Sequence, residues 1–319
     1  FFMVDLTGQP EGVWISPTHS RDGSCCGASG NCTSFQIILD SNAAALSFNF
    51  YSGAVPPGSI FYQINCGPEV AIGEPICITG VGPHNITFCK PGNNQNEYII
   101  QSIAKPTFPQ NDSTRAGCSK DIQVLGFDLS TITWQSVAPG NPGDYDYLLS
   151  CTDSCDLTTF TPLPTSPDYI DYVVCGFPQA DDCGYVLTLC DTFRIYTMDS
   201  LIGNISPKPA TYCDLGPGSG ITINASATGG NGVYSYNWFD TTGTLVGAGP
   251  TYYATSPQNY TIEINDGLSS SKCNANYQSV SVIETSEPVI SAGIDQLLCP
   301  DITTIYLEGS VSFASGGYW

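Results

Sequence analysis

Fifteen cysteines in 319 residues restrict this chain more than any other feature. They come with only two histidines and no C-x-x-C pair, a pattern that does not suit a zinc site built from closely spaced N and S ligands. The densest group, DGSCCGASGNC (22–32), brings Cys25, Cys26 and Cys32 together and reads as disulfide scaffold. Adjacent Cys25 and Cys26 are expected to face opposite ways, towards different partners within 1–106, and the spacing leaves the connectivity open. A chain so rich in cysteine belongs to an oxidising compartment.

Three proline-rich polar breaks interrupt the chain: KPTFPQND (105–112), SPKPATY (206–212) and ETSEPVISAGID (284–295). They imply a disulfide-rich β domain over 1–106, a second over 107–208, a third sandwich over 209–288, and the start of a further repeat over 289–319. Six cysteines fall in the first segment: Cys25, Cys26, Cys32, Cys66, Cys77 and Cys89. Six fall in the second: Cys118, Cys151, Cys155, Cys175, Cys183 and Cys190. The third holds Cys213 and Cys273, and Cys299 opens the fourth. Even counts predict bridges inside each segment. Cys213 is expected to pair with Cys273, tying the two ends of its sandwich, and Cys299 with a partner beyond Trp319.

Between the breaks, helical periodicity is nearly absent. Short β-rich runs are separated by Gly, Pro, Asn and Asp: SFQIILD (34–40), LSFNFY (46–51), EYIIQSIAK (97–105), TITWQSV (131–137), DYIDYVVCG (168–176), YVLTLC (185–190), NYTIEIND (259–266) and YQSVSVIE (277–284). TIYLEGSVS (304–312) is expected to add another strand. In NYTIEIND, Tyr260, Ile262 and Ile264 alternate with polar residues, so one face is apolar and the other wet. In VYSYNWFD (233–240) the Tyr234, Tyr236 and Trp238 face is expected inward, with Trp238 at its centre. Strands of this length and spacing predict an all-β chain of tandem, disulfide-stapled β-sandwiches in an elongated array.

Charge excludes one class of partner. Eight Lys and Arg against 29 Asp and Glu give a formal net charge of -21, which repels nucleic acid and anionic membrane surfaces. No apolar run reaches the roughly 18 residues of a spanning helix, so no membrane insertion of this segment is expected. The start at Phe1 reads as a mature segment whose export signal has been removed.

Catalytic candidates are few. His19 and His84 are the only imidazoles and neither lies in a G-x-S-x-G setting. The best carboxylate pairs, Asp144/Asp146 and Asp181/Asp182, read first as loop acids and next as ligands of a structural calcium ion; no cofactor is otherwise expected. Tyr145, Tyr147, Tyr169 and Tyr172 are candidates for stacking on sugars, with core packing as the plainer account. N-x-S/T sequons at Asn31, Asn85, Asn111, Asn204, Asn224 and Asn259 matter only in a eukaryotic host.

The stretch ITINASATGGNGVYSYNWFD…NYTIEINDG (221–267) resembles a polycystic-kidney-disease-type (PKD-like) immunoglobulin repeat. AVPPGSIFYQINCG (54–67), GPHNITFCKPGNNQNEYIIQSI (82–103), CSKDIQVLGFDLSTITWQSVAPG (118–140) and DYIDYVVCG resemble the N-terminal region of giant Bacteroidota (Flavobacterium-type) gliding adhesins, SprB-like. That resemblance implies Ig/PKD-like repeats, export by the type IX secretion system, display on the bacterial outer-membrane surface and partnership with the gliding machinery. It also makes the phylum's O-glycan motif relevant, with Ser113, Ser200 and Thr241 as acceptor candidates in DST, DSL and DTT. The functional expectation is a non-catalytic adhesin segment at the distal end of a long filament, attaching to a surface or glycan ligand. The alternatives are accessory β-domains of an extracellular polysaccharide-degrading enzyme, or an inert cap of a surface stalk.

Overall fold

The computed structural model describes residues 2–21, 31–53, 61–71, 75–90, 95–268, 273, 275–297 and 304–313. Among these, strands are interrupted by three short 3-10 turns and no longer helix. The chain divides into two compact units, one formed by Phe1–Ser113 and Ser119–Thr197 and the other by Thr114–Cys118 and Met198–Trp319. The proline-rich stretch 206–212 therefore lies inside the second unit.

The first unit contains two sandwich cores. In the first, a sheet ordered Phe2–Asp5, Asn31–Ile38, His84–Lys90, Phe61–Ile64, Val70–Ala71 faces one ordered Val13–Ile15, Gln95–Ala104, Ala43–Ser52, Ile76–Cys77. Alternation drives the packing: Phe35 and Ile37 from one sheet, and Phe48, Tyr98 and Ile100 from the other, are fully buried in one cluster. In the second core the sheet Asp112–Arg115, Leu189–Met198, Tyr169–Gly176, Thr133–Ala138 packs with the ribbon Lys120–Gln123 and Leu157–Phe160, burying Trp134, Phe160, Ile170, Tyr172 and Phe193.

The second unit sets the sheet Ile202–Ser206, Ile221–Thr228, Thr251–Ala254 against Ala210–Cys213, Asn276–Thr285, Asn259–Asn265, Ser235–Phe239, Leu245–Ala248. Trp238 is fully buried, donates from Nε1 to the Gly249 carbonyl at 2.9 Å and stacks near Tyr252. Tyr260, Ile262 and Ile264 are buried as their alternation requires, and Tyr234 and Tyr236 pack against the same core. A short visitor completes this unit. Arg115 Nε lies 3.2 Å from Asp266 Oδ2 with both side chains buried, the Ala116 amide donates to the Met198 carbonyl at 2.8 Å, and Cys118 bonds Cys273.

Two strand expectations need correction. YVLTLC is a loop until Leu189, and the strand proper is Leu189–Met198, because its inward residues Phe193 and Ile195 lie beyond the quoted run. TIYLEGSVS shortens to Ser310–Ser312, which pairs with Val289–Ser291 among the described residues. Tyr306, Leu307 and Ile290 stay exposed there, so little apolar burial is gained by a longer strand.

Candidate functional site: a cysteine framework and an outward aromatic face

Five bridges join described cysteines. Two are cross-strand pairs within a sheet: Cys32–Cys89 and Cys175–Cys190, directly opposite in register with Cα atoms 4.1 Å apart in each. Cys151–Cys155 closes a four-residue loop, whose Cys155 carbonyl accepts from Trp134 Nε1 at 2.8 Å. The remaining two, Cys77–Cys183 and Cys118–Cys273, span 106 and 155 residues. Cys66 is also disulfide-bonded. Cys25, Cys26 and Cys299 lie outside the described residues.

These long bridges overturn the expectation that every bridge stays inside one segment. Cys77 of the first segment reaches Cys183 of the second across a small core of Ala44, Ala45 and Ala180. Cys118 of the second reaches Cys273 of the third. An even count in the second segment survives because both exchanged partners come from it, so parity alone does not reveal the crossing. Cys213–Cys273 does not form, and Cys213 is an exposed free thiol. The reason is register. Ala210–Cys213 runs parallel to Asn276–Thr285, placing Cys213 opposite Thr285 at the far end of that strand from Cys273. About 30 Å of extended chain separates those ends, whereas a disulfide needs Cα atoms within about 7 Å.

The tyrosine candidates separate by strand parity. Tyr172 is buried, donates from its hydroxyl to the Tyr145 carbonyl at 2.9 Å, and burial pushes its phenol above the ordinary range. Tyr145 packs against the same core. Tyr147 is exposed in the turn Asp146–Leu148. Tyr169 points the other way from Tyr172's neighbours in register and pairs directly with Tyr196 on Leu189–Met198. Two residues along, Asp171 faces Arg194. Arg194 donates from Nε and Nη2 to the two Asp171 oxygens at 2.7 and 2.9 Å. Its guanidinium carbon sits 4.1 Å from the Tyr169 ring centroid and 5.9 Å from that of Tyr196. The Asp171 hydrogen bonds raise the guanidinium pKa above its ordinary value, with Tyr196 adding to the effect. Arg194, Tyr196 and Asp171 were not singled out in the sequence; the missed strand hid the first two, and the alternation of FRIYTM was the signal that would have found them.

The other candidates are occupied by structural tasks. Asp144 Oδ2 accepts from the Asn141 amide at 2.8 Å and Asp146 Oδ1 from the Ser136 amide at 2.6 Å, so both close the 139–148 turn. Asp181 lies in the 3-10 turn Asp181–Cys183 beside the Cys77–Cys183 bridge. His19 contacts the Pro17 carbonyl and Thr33 Oγ1 at 3.0 and 2.9 Å between the Phe2 and Tyr98 rings; His84 Nε2 meets the Gly80 carbonyl at 2.9 Å. Among the described residues no three His, Cys, Asp or Glu side chains gather as a metal site, and no helix is long and apolar enough to cross a membrane.

Of the O-glycan candidates, Ser113 and Ser200 are half-buried, and Ser200 Oγ donates to the Ala116 carbonyl at 3.2 Å. Thr241 is exposed at a hairpin tip, where Asp240 Oδ1 accepts from the Thr242 and Thr244 amides. A hydrogen bond from the Thr242 hydroxyl, followed by those from the backbone amides, holds the Asp240 carboxyl below its usual range.

No protein-family profile matches the chain, and no curated protein matches it. Among solved structures, it is similar to the immunoglobulin domains IG1+IG2 of DIP-gamma, at 14% identity and TM-score 0.29 over 56% of this chain and 95% of that one. It is similar to fibronectin(III)-like modules of Clostridium thermocellum CbhA, at 12% identity and TM-score 0.30 over 56% and 91%. A third is the N-terminal eight-Ig-domain structure of Down Syndrome Cell Adhesion Molecule, at 10% identity and TM-score 0.37 over 86% and 42%.

Proposed function

We propose that this chain is a non-catalytic, load-bearing adhesive segment that works outside the cell. The observation that carries the reading is the overlap of the two long bridges: Cys118 lies between Cys77 and Cys183 in sequence, and Cys183 lies between Cys118 and Cys273. Tension entering from the C-terminal side runs through the strand Asn276–Thr285 to Cys273 and passes through sulfur to Cys118. The intervening 155-residue stretch is then shielded from extension. A sandwich that carries a ligand surface keeps its shape under load when the load goes around it. The sequence resemblance adds the finer proposal: attachment and gliding, with type IX export and display on the outer-membrane surface.

Single-molecule pulling on the intact oxidised chain tests the load path. Replacing Cys77, Cys183, Cys118 and Cys273 together by Ser is expected to add about 460 Å of contour length, at roughly 3.4 Å for each released residue, with Cys151–Cys155 and Cys175–Cys190 still closing their own loops. Removing Cys118–Cys273 alone is expected to add about half of that, because Cys32–Cys89 and Cys77–Cys183 still short-circuit part of the chain. Identical contour lengths in the oxidised chain and the fourfold variant would sink the load-bearing reading.

A further inference from the structure

We propose that the outward face of the Tyr169–Gly176 and Leu189–Met198 strands is a binding platform for an uncharged glycan, centred on Arg194 between Tyr169 and Tyr196. The proposal rests on the adhesive reading and names the class of ligand for it.

The geometry is that of a prepared surface. Inner residues of both strands, Ile170, Tyr172, Phe193 and Ile195, are locked in the core, and Cys175–Cys190 pins the strands four to six residues beyond the tyrosine–arginine cluster. Arg194 is not a swinging side chain: its fork is held bidentately by Asp171 and its plane rests near the Tyr169 ring. With Nε and Nη2 committed to Asp171, the planar guanidinium turns its Nη1 edge away from that carboxylate. Ordering such a side chain in advance removes much of the entropic penalty of binding.

The chemistry selects the ligand. A pyranose presents an apolar C–H face and a rim of hydroxyls that both donate and accept. Tyr196, 46% exposed, offers a flat ring to the first; adjacent Arg194 donors and Asp171 lone pairs match neighbouring hydroxyls of the second. Gln135 and Thr192 extend the polar rim on the strands beside it. Aromatic bodies with a few fixed polar groups are the usual makings of such sites. Charge argues for a neutral sugar. The local cation is already balanced by Asp171, while the whole chain carries -21 and repels polyanions at a distance. A cationic polypeptide is the competing occupant, and it makes the opposite prediction about salt.

The test is affinity electrophoresis and calorimetry of the intact chain against β-1,4-glucan, β-1,3-glucan, β-1,4-mannan and β-1,4-xylan oligosaccharides, with alginate and polygalacturonate as charged counterparts. Binding to at least one neutral glycan is expected, unchanged by 0.5 M salt, where charges are screened beyond about 4 Å. Arg194→Lys, which keeps the charge and loses the fork, and Tyr196→Ala are each expected to weaken it at least tenfold. Tyr147→Ala, an exposed tyrosine outside the cluster, is expected to leave it unchanged. All three variants should keep the wild-type thermal midpoint; if Tyr196→Ala does not fold, Arg194→Lys decides. No binding to any neutral glycan overturns the proposal, as does binding confined to the charged polymers, salt-sensitive capture of a polypeptide at this face, or equal loss in Tyr147→Ala. The pulling experiment reads the load path independently, so failure here leaves that result standing and the reverse also holds.

Discussion

In the first unit, each of the two sandwiches has a disulfide laid across neighbouring strands of one sheet, Cys32–Cys89 and Cys175–Cys190, and Cys77–Cys183 and Cys151–Cys155 add two more. The second unit has no bridge within either of its sheets among the described residues. Its sandwich relies on Trp238 and the alternating Tyr260, Ile262 and Ile264, and its one described bridge fastens the visiting segment Thr114–Cys118 beside the buried Arg115–Asp266 pair. The contrast teaches that the cross-links serve two tasks. Cross-strand bridges fix a sheet surface, and the long bridges route the chain.

Reduction should separate the units most strongly. Each bridge lost costs about 2–4 kcal/mol in the chain-entropy account, and the first unit loses more of them. Hydrogen exchange after reduction should show protection falling in Asn31–Ile38 and Tyr169–Gly176 before Asn259–Asn265 and Asn276–Thr285; equal loss would break the contrast. Next in size is Arg115→Ala, which removes the buried cation facing the Asp266 carboxylate. It is expected to destabilise the second unit by about 3–5 kcal/mol, read by urea titration of Trp238 fluorescence, with Arg115→Met/Asp266→Asn recovering part of the loss. In the first unit, Tyr172→Phe removes the hydrogen bond to Tyr145 and should cost about 1 kcal/mol.

Acid should act on the second unit through Glu263. Its carboxyl is held below the ordinary value by hydrogen bonds from Tyr277 and then Asn237. A depressed folded-state pKa contributes stability that is present above the unfolded value of about 4.5 and is lost as pH falls through the folded value. The melting midpoint of this unit should therefore decline below about pH 4.5, and Glu263→Gln should flatten that decline. The smallest effect is expected for Thr241→Ala at its exposed hairpin tip, within about 0.5 kcal/mol.

Much of the strand pattern was legible because alternation is local. Trp238 and the Tyr260, Ile262, Ile264 row could be placed inward from period two alone, since a pleated strand sends successive side chains to opposite faces. The outward face proposed as a binding platform was only half legible. Tyr169 stood in a recognised strand, but Arg194 and Tyr196 follow a run that begins as loop, and their meeting with Asp171 depends on antiparallel register between strands. Even counts of cysteine encouraged local pairing because exchange of partners between segments leaves the second count even.

Sequence by itself determined an all-β chain, its inward rows, and the need for an oxidising compartment, because composition and period are properties of short stretches. Only the tertiary structure decided which cysteines meet. Cys213 and Cys273 looked like two ends to be tied, yet parallel pairing of Ala210–Cys213 with Asn276–Thr285 sets them a strand's length apart, and Cys118 takes the place beside Cys273. Disulfides form between sulfurs brought within bonding distance, and that distance is set by register and packing that no single stretch of sequence contains.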